Sequence, residues 1–365
     1  MAIDLPDSPE LRKHFDEQGA ESMKLMGLTG PEVQQWEDGW RTHDTVDQAF
    51  EWWYFDMQMD DGSTVVATFN TKPAADPASP LTPSVLLIHR DAQGNSTRES
   101  VPADPAAFRS STDGCDVAIG DSTVKGDLAT YTLHLVGQKI TADLVLTRGT
   151  PSWRPGAGVT WFDHAKKHFM AWVVPVPYGT VAGTVTVNGA TTQVTGTGYH
   201  DHNWGNRQMS SGLDHWYWGR AHIGDYTVVY AMLTSRGLFG VGQVNLPTVM
   251  LASSQKLLTD DLLPLRLTTG NDVPGPSPTH QPYPTTLDWE WQRGDERFSM
   301  KVTNPKLIES LDMASAHPSR ADRWLHHGDH PWYYDFTADM ELSIDVGGVK
   351  DTVRGQTLYE KMMFR

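Results

Sequence analysis

Six consecutive residues, Tyr199-His200-Asp201-His202-Asn203-Trp204, place a phenol, two imidazoles, a carboxylate, an amide and an indole on one short stretch. Gly196 and Gly198 precede it and Gly205 closes it. Three kinds of chemistry suit such a run. Histidines at i and i+2 can ligate a metal, but a third ligand must then come from elsewhere. The nearest histidines, His215 and His222, stand at spacings that match no zinc pattern. A histidine beside a carboxylate can move a proton, and Tyr199, His200 and Asn203 can donate hydrogen bonds to a polar group of a bound molecule. The third reading is structural. Buried polar groups without partners cost about 1–3 kcal/mol each, so the same residues can form a network that fixes the junction of two sheets. In an extended chain His200 and His202 share one face, and Asp201 and Asn203 the other.

A second carboxylate is placed for chemistry. In a strand over 51–59, Glu51 shares a face with Trp53, Phe55, Met57 and Met59. A carboxylate ending an apolar stripe either sits at the mouth of a cavity or pairs with a buried donor. Arg220 is one such donor, set among aromatics in His215-Trp216-Tyr217-Trp218-Gly219-Arg220. With a turn at Gly224-Asp225, Trp216, Trp218 and Arg220 share one strand face, and Val228, Tyr230 and Met232 share another. Two further histidine groups read as solvated loops. His164 and His168 are spaced i, i+4 without the glutamate of a zincin helix, and His326, His327 and His330 lie in a polar turn before Pro331. The chain carries no Gly-rich phosphate loop and no Gly-x-Ser-x-Gly elbow.

The elements that must hold these residues are mostly strands. Ser8-Pro9-Glu10 reads as a helix start, followed by Leu11, Phe15, Met23 and Met26, and Gly30-Pro31-Glu32 as the start of a second short helix through Val33 and Trp36. From about Phe50 onward, short β-branched and aromatic runs alternate with Gly, Pro, Asn and Asp, as at 64–70, 84–89, 131–136, 142–147, 181–187, 227–233, 286–292, 298–303 and 340–345. Asp60-Asp61-Gly62-Ser63 and Asn188-Gly189 read as hairpin turns, and 270–284 as an exposed loop. Strands at hairpin spacing without helices between them predict an all-β antiparallel sandwich or barrel.

At 365 residues, two domains are expected. A helical segment over 1–40 precedes a β-domain over 41–205 and a second over 206–365. The net charge of −16, from 29 basic and 45 acidic residues, argues against nucleic acid or an anionic membrane surface as partner. The single cysteine, Cys115, excludes an internal disulfide and fits a reducing compartment. With neither a leader-like N-terminus nor an apolar run approaching 18 residues, a cytoplasmic location without membrane insertion is expected. Aromatics are abundant, with 14 Trp, 11 Tyr and 11 Phe, which suits a wide core or an apolar ligand cavity.

Glu51-Trp52-Trp53-Tyr54, then Trp172 with Pro175, Pro177, Gly179 and Gly183, then Gly198 through Gly205 together carry a family signature. With Trp218-Gly219-Arg220 they resemble the carotenoid 1,2-hydratase/AttH-like family over roughly residues 45–235. That resemblance implies two lipocalin-like or β-sandwich domains with a ligand cavity at or near their interface. It also implies either a hydratase or a lipocalin-like Diels–Alderase or related cyclase of polyketide biosynthesis. In the hydratases, an Asp two positions after a Tyr on the strand following Trp-Gly-Arg is the proposed proton donor. Here that strand reads Tyr230-Ala231-Met232, without the acid that protonation of an alkene requires.

A [4+2] cyclisation asks only for a folded polyene and a donor to a conjugated carbonyl. The expectation is therefore a cyclase of the Diels–Alderase type acting on a small hydrophobic polyene, with no cofactor and no metal. Tyr199, His200, Asn203 and Glu51 are its candidate catalytic residues. Trp53, Trp204, Trp218, Tyr230 and Met232 are expected to bind substrate, and Asp201, His202 and Arg220 to hold the domain junction. A hydro-lyase and a non-catalytic apolar carrier are the alternatives. Substrate identity and oligomeric state stay open.

Overall fold

A computed structural model describes residues 2–237, 242–254, 256–276, 281–312 and 332–364. His326, His327, His330 and Pro331 lie outside the described residues. The chain forms two compact units, one of residues 17–209 and one of residues 1–16 with 210–365. Each is an antiparallel sheet curled around its own apolar core, the two-domain lipocalin-like all-β architecture implied by the sequence.

In the 17–209 unit the middle of the sheet runs Ser84–Arg90, Thr64–Asn70, Phe50–Met59, Ala190–Gly205, Phe169–Val187, Ile140–Arg148 and Thr130–Val136. Phe50–Met59 alternates as its sequence dictates, with Trp53, Phe55 and Met57 fully buried in the core. Phe169–Val187 and Ala190–Gly205 form a long hairpin closed by Asn188-Gly189, at φ 49° and 84°. Two successive positive φ values define a mirror-image turn, which Asn and Gly tolerate best. The hairpin register breaks between Val173 and Val176 and again between Val176 and Gly179. Pro175 and Pro177 lie in these breaks and have no N–H to give to the ladder. Gly205 is demanded by close approach: a Cβ there would stand 2.6 Å from the Phe169 carbonyl and 2.8 Å from the Phe50 ring.

In the other unit the order is Val244–Ser253, Tyr226–Ser235, Leu213–Ile223, Val349–Met363, Trp332–Val346, Glu296–Asp312, Tyr283–Arg293 and Arg266–Val273. Residues 1–16 join it through Ile3–Asp4, which pairs in parallel with Val244 and Asn245, and through an Arg12–Asp261 ion pair of 2.8 Å.

Two expectations need correction. Helix Pro9–Leu25 starts at its Ser8 cap, but no helix follows from Gly30; a short 3-10 turn occupies only Gln35–Asp38. Its cap comes from the Glu37 side chain, which accepts the Gln34 N–H at 2.7 Å and so fixes the start four residues after Gly30-Pro31. The span 270–284 is not all loop, because Arg266–Val273 and Tyr283–Arg293 pair as strands into it, Gly270 opposite Thr286 and Asp272 opposite Pro284. Chain-breaking residues are tolerated there because this strand pair is the last in its sheet. No helix among the described residues is long and apolar enough to cross a membrane.

Candidate functional site

Strand Ala190–Gly205 carries the polar run, paired with Phe50–Met59 on one side and Phe169–Val187 on the other. Its two faces have different work. His200 and His202 point inward and are fully buried. The His200 ring stacks on Phe55 with centroids 3.9 Å apart, and His202 on Trp53 at 4.7 Å. His200 Nδ1 lies 2.9 Å from the Tyr54 carbonyl, while Nε2 lies 3.2 Å from each Asp38 oxygen. His202 Nδ1 lies 2.9 Å from the Glu37 carbonyl, and Nε2 lies 2.8 Å from Glu51 Oε1. A carbonyl only accepts, so each Nδ1 carries a hydrogen. Each Nε2 faces a carboxylate, so a further proton is shared within each pair.

Further hydrogen bonds fill this face. Glu51 Oε1 accepts the Arg41 N–H at 2.8 Å, and Oε2 accepts the N–H and hydroxyl of Thr42 at 2.9 and 2.7 Å. The Tyr131 hydroxyl donates to Asp38 at 2.5 Å, and the Trp53 indole to the Asp38 carbonyl at 3.0 Å. Arg154 grips Glu37 at 2.8 and 2.9 Å and also reaches the carbonyls of Glu32 and Gly30. Burial nonetheless pushes the Glu37 carboxyl up, outweighing the pull of Gln34 and Arg154. Residues 37–42 are thus bound along the inner face by His200, His202, Glu51, Trp53, Tyr131 and Arg154.

These contacts relocate several expected site residues. His200 and Glu51 are spent on the fold, and the partner of Glu51 is His202 with residues 41–42, not Arg220. Trp53 is core, and Trp204 packs on Ala171 and Val173. Cys115 joins Asp38 and His200 within 4.8 Å, the spacing of a metal trio. Burial pushes the Cys115 thiol well up, and the other two members already bond each other, His200 to Asp38. Glu37, Asp38, Thr42, Tyr131 and Arg154 were not anticipated; the adjacent acids Glu37 and Asp38, set between Trp36 and Trp40, were the available signal.

The opposite face of the same strand is arranged around Asp201. Its Oδ2 accepts the Tyr199 hydroxyl at 2.9 Å and the Trp172 indole at 3.0 Å, and its Oδ1 accepts the Asn203 amide at 2.8 Å. Burial raises its pKa to about 6, against the pull of these donors. Tyr199 has therefore committed its proton. Asn203 uses one N–H, and its second N–H and its carbonyl have no protein partner among the described residues. Cross-strand register sets Asn203 between Trp52 and Trp172, both only part-buried. Tyr54 flanks Asp201 in the next row, and Trp153 meets Trp172 edge-on at 5.5 Å. An amide donor framed by indoles and anchored by a buried carboxylate is a site for a carbonyl on an apolar molecule.

The Asp201 carboxyl gives a pH dependence with a definite sign. Its folded pKa lies above its ordinary 3.8, so its stabilising contribution is complete below about 3.8 and is lost as pH rises through about 6. Urea unfolding of the protein at pH 4 and pH 7 should show a decline that Asp201→Asn abolishes; an equal decline in the variant would contradict this.

Trp218, Arg220, Tyr230 and Met232 belong to the other unit. Tyr230 and Met232 face its core, whereas Trp218 pairs with Ala231 on the opposite side of the sheet. Tyr230 hydrogen-bonds Thr357 at 2.8 Å, which in turn donates to the Arg220 carbonyl.

Fold and site together define a two-domain lipocalin-like protein with a hydrogen-bonding amide on an aromatic face. Residues 117–260 match the family model described as Diels-Alderase-like, a similarity that overlaps the signature in the sequence. Among curated relatives, "Quinolone epoxide rearrangement protein penF" of Penicillium thymicola is 38% identical over 45 residues, 12% of either chain. The match thus spans about one-eighth of that relative's length. Among solved structures, CghA in complex with Sch210972 superposes with a TM-score of 0.63 at 15% identity, over 87% of this chain and 89% of that one. A putative AttH from Nitrosomonas europaea gives 0.62 at 16% identity, over 92% and 98%. At these identities the structures show a shared fold.

Proposed function

We propose that the protein is a cofactor-independent cyclase of the Diels–Alderase type, closing a linear polyene of polyketide type by intramolecular [4+2] cycloaddition. The observation that carries this reading is the row Trp52–Asn203–Trp172, a free amide donor between two part-buried indoles. The Diels-Alderase-like match over residues 117–260 supports it. In the reaction, a diene and an alkene of one molecule exchange π bonds for two σ bonds, and no proton enters or leaves. The protein's task is to fold the substrate and polarise its carbonyl. Holding the reacting ends together lowers the barrier by up to about 7–11 kcal/mol, and indole faces are suitable walls for that. The second N–H of Asn203 donates to a carbonyl conjugated with the alkene, stabilising the charge that develops there. Asp201, holding the other N–H, is the positioning residue that aims it.

The test is incubation of purified protein with candidate linear polyenes in the presence of a chelator and in isotopically labelled water. Cyclised product formed well above the spontaneous rate, without solvent label, is the expected result. Cyclisation no faster than in buffer for every polyene tried would overturn the proposal. Label in the product would instead identify a hydro-lyase, and ligand recovered unchanged would identify a carrier.

A further inference from the structure

A part-buried lysine, Lys361, stands on the core-facing side of the sheet in the 210–365 unit. Cross-strand register aligns Tyr217, Lys361 and Tyr334 in one row over three adjacent strands, and Gly219, Tyr359 and Phe336 in the next inward row. Tyr217, Tyr334, Tyr359 and Phe336 are all members of the apolar core, so Lys361 shares their inward face. Tyr230 packs where Gly219 has no side chain, and a Cβ there would collide with its ring. The Lys361 ammonium lies 5.6 Å from the centre of the Tyr217 ring and donates to the Pro282 carbonyl at 3.0 Å. No carboxylate pairs with it among the described residues; Asp272 acts on it only at a distance. Two of its three N–H groups, and the hydroxyls of the buried Tyr217 and Tyr359, have no protein partner among the described residues.

A part-buried cation set against aromatic rings loses hydration that something else must compensate. Here an ammonium and two phenols offer unfilled donors on one face of the sheet, with Phe336 beside Tyr359 and Trp289 against Tyr230. Acceptors are what this cluster lacks. We propose that the inner face of this unit, where Lys361 meets solvent, binds an otherwise apolar molecule through its anionic oxygen head, a carboxylate or enolate, with Lys361 as the cation and Tyr217 and Tyr359 as hydrogen-bond donors. This site stands independently of the cyclase reading, since none of its residues belongs to the Asp201–Asn203 cluster.

Burial lowers the Lys361 pKa to about 8, and Asp272 opposes this weakly. The titratable groups facing it are Tyr217 from Leu213–Ile223, Tyr334 from Trp332–Val346, Tyr283 from Tyr283–Arg293, and Asp272 from Arg266–Val273. Burial raises the Tyr217 and Tyr359 hydroxyls, and raises Tyr334 to about 12, so these phenols remain donors while the amine titrates.

The experiment titrates the full chain with a fluorescent conjugated polyenoic fatty acid and with its methyl ester, reading probe enhancement and tyrosine and tryptophan quenching. The acid should bind at least about tenfold more tightly than the ester below pH 8, with the preference fading as pH rises through about 8. Lys361→Met should abolish the preference without weakening the ester, and Lys361→Arg should retain it, which separates charge recognition from loss of fold. Tyr217→Phe should reduce it. Equal binding of acid and ester by the wild-type protein, binding of neither, or an unaltered preference in Lys361→Met would overturn the proposal.

Discussion

Glu51→Ala is expected to lower the free energy of unfolding by about 3–5 kcal/mol, the range seen when one partner of a buried charged pair is removed. Its carboxylate gathers four donors: the His202 imidazole, two backbone N–H groups and the Thr42 hydroxyl. Removing it strands all four in a site from which water is excluded, with both Glu51 and His202 fully buried. His202→Ala should also destabilise, but the double variant should lose less than the sum by about 1 kcal/mol or more, because each single change already breaks the shared contact. Denaturant midpoints for the set decide the matter. A Glu51→Ala protein as stable as its parent would show that the inner face does not hold residues 37–42.

Asn203→Ala is expected to reduce the cyclisation rate by about 10²–10³-fold, the usual consequence of losing one donor to a developing oxyanion. The unfolding midpoint should barely move, since the amide makes a single hydrogen bond, to Asp201. Asn203→Asp should be equally slow, because an acceptor replaces the donor. Asp201→Ala should slow the reaction less and shift kcat more than KM, as befits a residue that aims the amide without touching substrate. These contrasts are measured in single-turnover rates. A variant series in which Asn203→Ala retains full rate would remove the amide from the chemistry.

Much of this arrangement can be read from period alone. Alternation placed Glu51 on the Trp53–Phe55 face and divided the histidines from Asp201 and Asn203, as the structure shows. Local pattern, however, does not name partners. His200 and His202 meet Asp38 and Glu37 across 162 and 165 residues, and nothing in either stretch announces the other. The placements therefore agree only in part. His200, expected as a donor to substrate, is occupied by the fold like His202, while Asp201 holds the Asn203 amide on the other face. Gly30-Pro31 misled because a helix start depends on the side chain that caps it, here Glu37. Lys361 was legible in principle: in Tyr359-Glu360-Lys361-Met362-Met363, period two puts the lysine on the face of Tyr359 and Met363.

The long reach between Asp38 and His200 also sets an order of events at the ribosome. At about 5–20 residues per second, some 8–30 s separate the emergence of the two. Until then Asp38 and Glu51 are nascent acids without their imidazoles, and strand Phe50–Met59 has no neighbour on one edge. Chains interrupted before Gly205 should consequently be substrates for chaperones and proteases, and the unit should close as the last event of its own synthesis.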